Sequence, residues 1–134
     1  ATRLNINSVS CTNAATQYAA IAALDGPQDQ VINMINQFKK RRNLIVEKTN
    51  LIPGMSSQMP QGAFYTMPNI KKTKLTSREM ETLLLEELKI ATVAGTSFGE
   101  YGEGYIRFSY ANSEANINDA LNLIHEYAVN NNWG

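Results

Sequence analysis

Positions 95 to 110 place one cation where it could do selective chemistry. Gly95, Gly99, Gly102 and Gly104 crowd one short stretch, a density that lets a backbone take positive φ and lie close against another surface. In the segment that follows, Ile106, Phe108 and Tyr110 alternate with Arg107 and Ser109. That period of two predicts a strand with one apolar and one polar face, and it turns Arg107 away from the core. A guanidinium is a planar, permanently charged fork, suited to gripping a carboxylate through two parallel hydrogen bonds. On a strand whose second face meets only water, the same arginine is an ordinary surface charge. The close-approach loop beside it favours the carboxylate grip.

Other residues of possible chemical use are few. Phe64 and Tyr65 lie in the strand predicted over residues 63–67, closed by Pro68, and by type alone they are core aromatics. His125, the only histidine, stands beside the apolar stripe of a helix with no cysteine near it, so it reads as an edge or surface residue. The run Lys39-Lys40-Arg41-Arg42 lies within a helix and lacks the broad basic surface and interleaved aromatics of a nucleic-acid reader. It reads as a solvated helix face.

The elements that must position Arg107 follow from pattern. Residues 1–12 are polar and aperiodic, with Leu4 and Ile6 as weak anchors, and read as a linker leading into a domain over residues 13–134. Asn13 caps an alanine-rich helix to Leu24, stopped by Asp25-Gly26-Pro27 with Gly26 in the left-handed cap position. A second helix is predicted over residues 28–50, burying a stripe of Val31, Ile35, Phe38 and Ile45 with Met34 at its margin. After the Pro53-Gly54 turn, residues 55–58 read as a short strand. Thr76 and Glu79 have capping-box spacing and start a helix that carries Met80, Leu83, Leu84 and Leu88 and ends near Lys89. A strand over 90–93 leads into the glycine loop. Ser113 then caps a last helix with Ile117, Leu121 and Ile124 inward, its end pinned by Trp133. These elements make a two-layer α+β domain, with helices on one face of a sheet of three or four strands and Arg107 on the other face or at an edge.

Composition excludes several classes of function. The chain has 134 residues, 43% of them apolar, enough for one domain to bury a core without a metal or disulfide. Lys plus Arg and Asp plus Glu each number 12, so no net field draws in nucleic acid or an acidic membrane. Cys11 is the sole cysteine, which excludes an internal disulfide and fits a reducing compartment, with cytoplasm as the expectation. No apolar run approaches the roughly 18 residues of a bilayer span.

The stretch from Gly95 to Ala111 resembles the C-terminal signature of class I/II pyridoxal-phosphate-dependent aminotransferases, fold type I. Pro60-Gln61-Gly62-Ala63-Phe64-Tyr65 resembles a second signature of the same domain, in the same order and at a similar separation. Residues 13–24, with Gln17, are similar to the segment that follows the cofactor-binding part of those enzymes. One departure is Ala94, where many relatives carry proline. The resemblance implies the small C-terminal domain of an aspartate- or aromatic-type aminotransferase, cut from a longer chain and closing over a cofactor held mainly by the larger domain. It implies that Arg107 binds the substrate carboxylate, with Phe64, and then Tyr65, near the substrate pocket. Pyridoxal 5'-phosphate belongs to the parent enzyme, a homodimer with active sites at the subunit boundary. The family sets its Schiff-base lysine after Ser or Thr and before Gly-x-Arg-x-Gly, and Thr73-Lys74 is followed instead by Leu75-Thr76-Ser77. This chain by itself is therefore expected to bind no pyridoxal phosphate and to be inactive. A stand-alone interaction domain sharing the fold is the alternative.

Overall fold

The computed structural model describes residues 2–8 and 11–134. They fall into two compact units, residues 1–34 and residues 35–134.

In the first unit, part of the segment read as an aperiodic linker is helical: α1 is Thr2–Ser8. Its Ile6 is 66% exposed and anchors nothing, while the side chain of Leu4 lies outside what is described. Helix α2, Ala14–Asp25, starts as its sequence predicts, with Asn13 Oδ1 accepting from the Thr16 amide at 2.9 Å. Gly26 ends it differently from the expectation. Its backbone is extended, at φ −77° and ψ 174°, and its N–H donates to the Ala22 carbonyl. Glycine is needed there for closeness rather than handedness, because a Cβ would overlap that same carbonyl oxygen. No residue of α2 is buried, and Tyr18, Ile21 and Leu24 are exposed.

Helix α3, Asp29–Thr49, contributes residues 29–34 to the first unit and the rest to the second. Its predicted stripe is buried only toward the C-terminus. Ile45 and Val46 are in the core and Phe38 packs against it, but Val31, Met34 and Ile35 are exposed. Apolar spacing marks a face that can be buried; it does not say what covers it.

The second unit holds a three-stranded antiparallel sheet of β1 (Tyr65–Thr66), β2 (Val93–Ala94) and β3 (Ile106–Ser109), in the order β1-β3-β2. β1 and β3 are shorter than their sequence patterns, and β2 shares only Val93 with the strand expected over 90–93. Ala63 turns out of β1 with φ 60°, and residues 55–58 give only a single bridge between Ser56 and Asn69. Helix α4, Ser77–Glu86, starts with the predicted capping box on Thr76 and Glu79. It ends before Lys89, because Lys89 takes the left-handed conformation at φ 60° while the Ile90 amide reaches back to the Leu84 carbonyl. This is the geometry that closes many helices. Helix α5, Glu114–Asn130, is capped by Ser113. Trp133 is buried beyond its end, with its ring edge-on to Tyr127 at 5.6 Å.

The core joins Ile45 and Val46 of α3, Met80 and Leu84 of α4, Ile117, Leu121 and Ile124 of α5, and Ile106 and Phe108 of β3. The helices therefore cover the face that carries the even-numbered residues of β3. The odd-numbered residues are left for the other side.

Candidate functional site

Arg107 stands on the central strand, not at an edge. Val93 of β2 lies directly across from it, and β1 pairs Tyr65 with Ser109. Tyr65, Val93, Arg107 and Ser109 therefore share one face, with Tyr65 the diagonal neighbour of Arg107. On the opposite face, Thr66, Ala94, Ile106 and Phe108 are all buried. The alternation read from the sequence thus holds across the ladder.

Two aromatic rings flank the guanidinium. Its Cζ is 4.3 Å from the centre of the Tyr65 ring and 4.8 Å from that of Phe98. Such contacts attract through the ring quadrupole and still leave the in-plane N–H donors free. Among the described residues the Arg107 side chain has no hydrogen-bond or ion-pair partner, and the one ion pair, Arg78 with Glu81, lies on α4. Arg107 is a half-buried cation set against two rings, with no side-chain donor committed to a described residue.

Of the two aromatics singled out in the sequence, Tyr65 is the one against the guanidinium. Phe64 lies behind it, 4.3 Å from the Tyr65 ring and 6.3 Å from Phe38, with its carbonyl accepting the Tyr110 amide. Phe98 was not a sequence candidate. Its only signal was a large apolar residue in a glycine loop, where it remains 56% exposed.

The loop that carries Phe98 is two 3-10 turns, Gly95–Phe98 and Glu100–Gly102, hinged at Gly99 with φ 121°. Its ends meet backbone to backbone: a Cβ on Gly95 would overlap the Gly102 carbonyl oxygen, and a Cβ on Gly102 the Gly95 carbonyl. Ser77, fully buried in the first turn of α4, secures the far end. Its Oγ donates to the Gly102 carbonyl at 3.2 Å and accepts from the amides of Gly104 at 2.9 Å and Tyr105 at 3.2 Å. Glu103 in turn accepts from the Ser77 amide at 2.9 Å. A buried hydroxyl with its donor and acceptor capacity used in this way locks local geometry.

On the inner face, the Tyr110 hydroxyl donates to the Ala63 carbonyl at 2.9 Å. Burial pushes its pKa up, with the Arg42 charge opposing. A hollow of about 470 Å³ opens beside Tyr65, lined also by Ser57, Gln58, Met67, Asn69 and Tyr105.

The remaining candidates do not gather at this site. Lys39 and Lys40 are exposed, but the run is only partly a solvated face. Arg41 lies over Phe38 at 5.6 Å, and Arg42 donates to the Pro60 carbonyl at 3.3 Å. His125 and Cys11 are exposed. Among the described residues no three His, Cys, Asp or Glu side chains could jointly hold a metal, and no helix is long and apolar enough to cross a membrane.

No protein-family model matches the chain. Individual proteins do. The aspartate aminotransferase of Geobacillus stearothermophilus is 40% identical over 131 residues, which is 94% of this chain and 33% of that enzyme. The aspartate aminotransferase of Pyrococcus horikoshii is 37% identical over 110 residues, 81% of this chain and 28% of its own length. Among solved structures, the aromatic aminotransferase from Pyrococcus horikoshii superposes with a TM-score of 0.91 at 31% identity, over 98% of this chain and 36% of that one. The aspartate aminotransferase from Rhizobium meliloti gives 0.86 at 32% identity, over 96% and 34%. The chain spans about a third of the length of the curated relatives it matches.

Proposed function

We propose, for a chain that matches about a third of the fold type I aspartate and aromatic aminotransferases in sequence and in structure and has the α+β architecture of their C-terminal domain, that Arg107 holds the carboxylate of an amino-acid or 2-oxo-acid substrate. The whole protein would transfer an amino group between two such acids, and this domain would close the site. One observation carries the reading: a half-buried guanidinium on the central strand, flanked by rings, with no carboxylate partner among the described residues. A fork held in one plane fixes a substrate through two contacts, so its amino group meets the reacting centre in one orientation.

Enzymes of this family use pyridoxal 5'-phosphate, which supplies the electron sink for the carbon that loses its proton. In our reading none of the lysines of this chain is the covalent anchor for it. A Schiff-base lysine works from a desolvated or charge-tuned site, whereas Lys48 is half-buried and every other lysine is exposed. Lys74, the nearest by motif, sits exposed with φ 64° after the turn Lys71–Thr73. In our reading the anchor and the phosphate ligands are supplied from outside this chain, and the chain alone does not transaminate. A cytoplasmic homodimer is part of the same reading, as is the absence of any role in nucleic-acid or membrane binding.

The test is kcat/KM for Arg107→Lys and Arg107→Ala in the full-length enzyme that carries this chain, with an amino acid and with the matching amine that lacks the carboxylate. Truncating a desolvated, hydrogen-bonded charge pair costs roughly 2–5 kcal/mol, on the order of 30-fold to several thousand-fold. The amine should lose little. A loss below about fivefold with the amino acid, or an equal loss with the amine, overturns the role.

A further inference from the structure

We propose that Phe98 is a positioning residue for Arg107: through the closed glycine loop it sets the plane of the guanidinium, and with it the geometry of carboxylate capture. The inference rests on the carboxylate reading for its consequence, but its structural part stands on three observations of its own.

The first is contact. Phe98 is 56% exposed, yet its ring lies 4.8 Å from the guanidinium carbon. Among the described residues the cation is what its ring is set against. The second is pairing. Tyr65 takes another side of the same guanidinium at 4.3 Å, and no hydrogen bond from a described residue competes to orient it. An arginine side chain is long and rich in rotamers. Flanking rings restrict that freedom without consuming a single N–H, which a carboxylate or carbonyl neighbour could not do. The third is the mounting of the ring. The two ends of the loop touch at Gly95 and Gly102, and Ser77 fastens residues 102–105 to the start of α4. Phe98 therefore projects from a braced loop, and the in-plane donors of Arg107 are left without a partner among the described residues.

Phe98 does not touch the substrate in this account. It acts through Arg107, so replacing it should raise KM and leave kcat nearly unchanged, and another aromatic should restore the effect. A cation–π contact of this kind corresponds to about 3- to 30-fold in affinity.

The experiment has two arms. In the 134-residue chain, the Arg107 Nε–H group is assigned by its loss in Arg107→Lys, and its 15N order parameter is measured in the wild type, Phe98→Leu and Phe98→Trp, each checked for an unchanged melting temperature. The wild-type and Trp forms should be rigid and the Leu form mobile. In the full-length enzyme that carries this chain, Phe98→Leu should raise KM for the amino acid about 3- to 30-fold with kcat within about twofold, and Phe98→Trp should recover most of it. Equal order parameters in all three forms overturn the positioning role. So does an unchanged KM in Phe98→Leu when Arg107→Lys is strongly impaired. If instead Arg107→Lys has no kinetic effect while Phe98→Leu still loosens the guanidinium, the carboxylate reading has failed and the ordering of Arg107 by Phe98 stands.

Discussion

Gly95 and Gly102 are packed backbone against backbone, so that neither has room for a methyl group beside the other's carbonyl oxygen. The contact closes the base of the Phe98 loop. In Gly95→Ala the new Cβ would also crowd the Tyr105 carbonyl, so the strain falls on backbone that cannot rotate away. We expect a loss of about 1–3 kcal/mol, the usual cost of overfilling a packed site. Gly62→Ala, at an exposed position with open space around it, should change stability by less than about 0.5 kcal/mol. Urea denaturation of both variants checks the contrast, and equal stabilities would mean the loop base yields freely.

Ser77→Ala removes the hydroxyl that ties the loop to α4. The Tyr105 amide and the Gly102 carbonyl keep a bond to each other at 3.2 Å, but the buried Gly104 amide loses its Ser77 acceptor. One orphaned buried donor costs about 1–3 kcal/mol. Hydrogen exchange should therefore quicken at Gly104 more than at Leu84 or Ile106. Uniform protection across the three would contradict the assignment.

Glu79 should give α4 an acid-sensitive start. Hydrogen bonds from the Thr76 amide and then its hydroxyl hold the carboxyl below its ordinary value of 4.5. A lowered folded-state pKa means its contribution is fully present above about 4.5 and is lost as pH falls through the lowered value. Glu79→Gln keeps an acceptor for the cap but cannot titrate. The gap in stability between wild type and variant should be constant from pH 6 to 8 and shrink in acid, measured by thermal melts in steps of about half a pH unit. A gap that widens in acid has the wrong sign for this account.

Tyr110 should show the opposite dependence at high pH. Burial raises its pKa above the ordinary 10.0, against the pull of Arg42, so the neutral phenol is what the fold favours. That contribution is present below about 10 and disappears as pH rises through the elevated value. Tyr110→Phe leaves the Ala63 carbonyl without its donor, at about 1 kcal/mol near neutrality. It should also be the less alkali-sensitive protein in melts above pH 10. An identical alkaline profile in both would remove Tyr110 from this role.

What the sequence made legible was local. Thr76 with Glu79, Asn13 and Ser113 declare helix starts through spacing alone, and all three cap as read. The alternation through residues 106–110 put Arg107 outward before any partner strand was known. Other features depend on residues far apart in the chain. Ser77 looks like part of a cap, and only the fold brings its hydroxyl to residues 102–105. Phe98 meets Arg107 because of how a loop folds back, which no periodicity encodes. Gly26 shows a third kind of gap. Its type was the right signal for a stop, but glycine serves close approach as well as positive φ, and the sequence does not distinguish them.

The edge strands β1 and β2 have only two residues each. So short a ladder would be satisfied almost as well by a neighbouring frame, and the seating of Ile106 and Phe108 in the core is what selects the frame used. A slip of one position would keep a similar count of backbone bonds while driving Arg107 inward and Phe108 out. The site thus depends on odd-even parity. One residue inserted between Gly104 and Ile106 should invert the strand, and two should restore it.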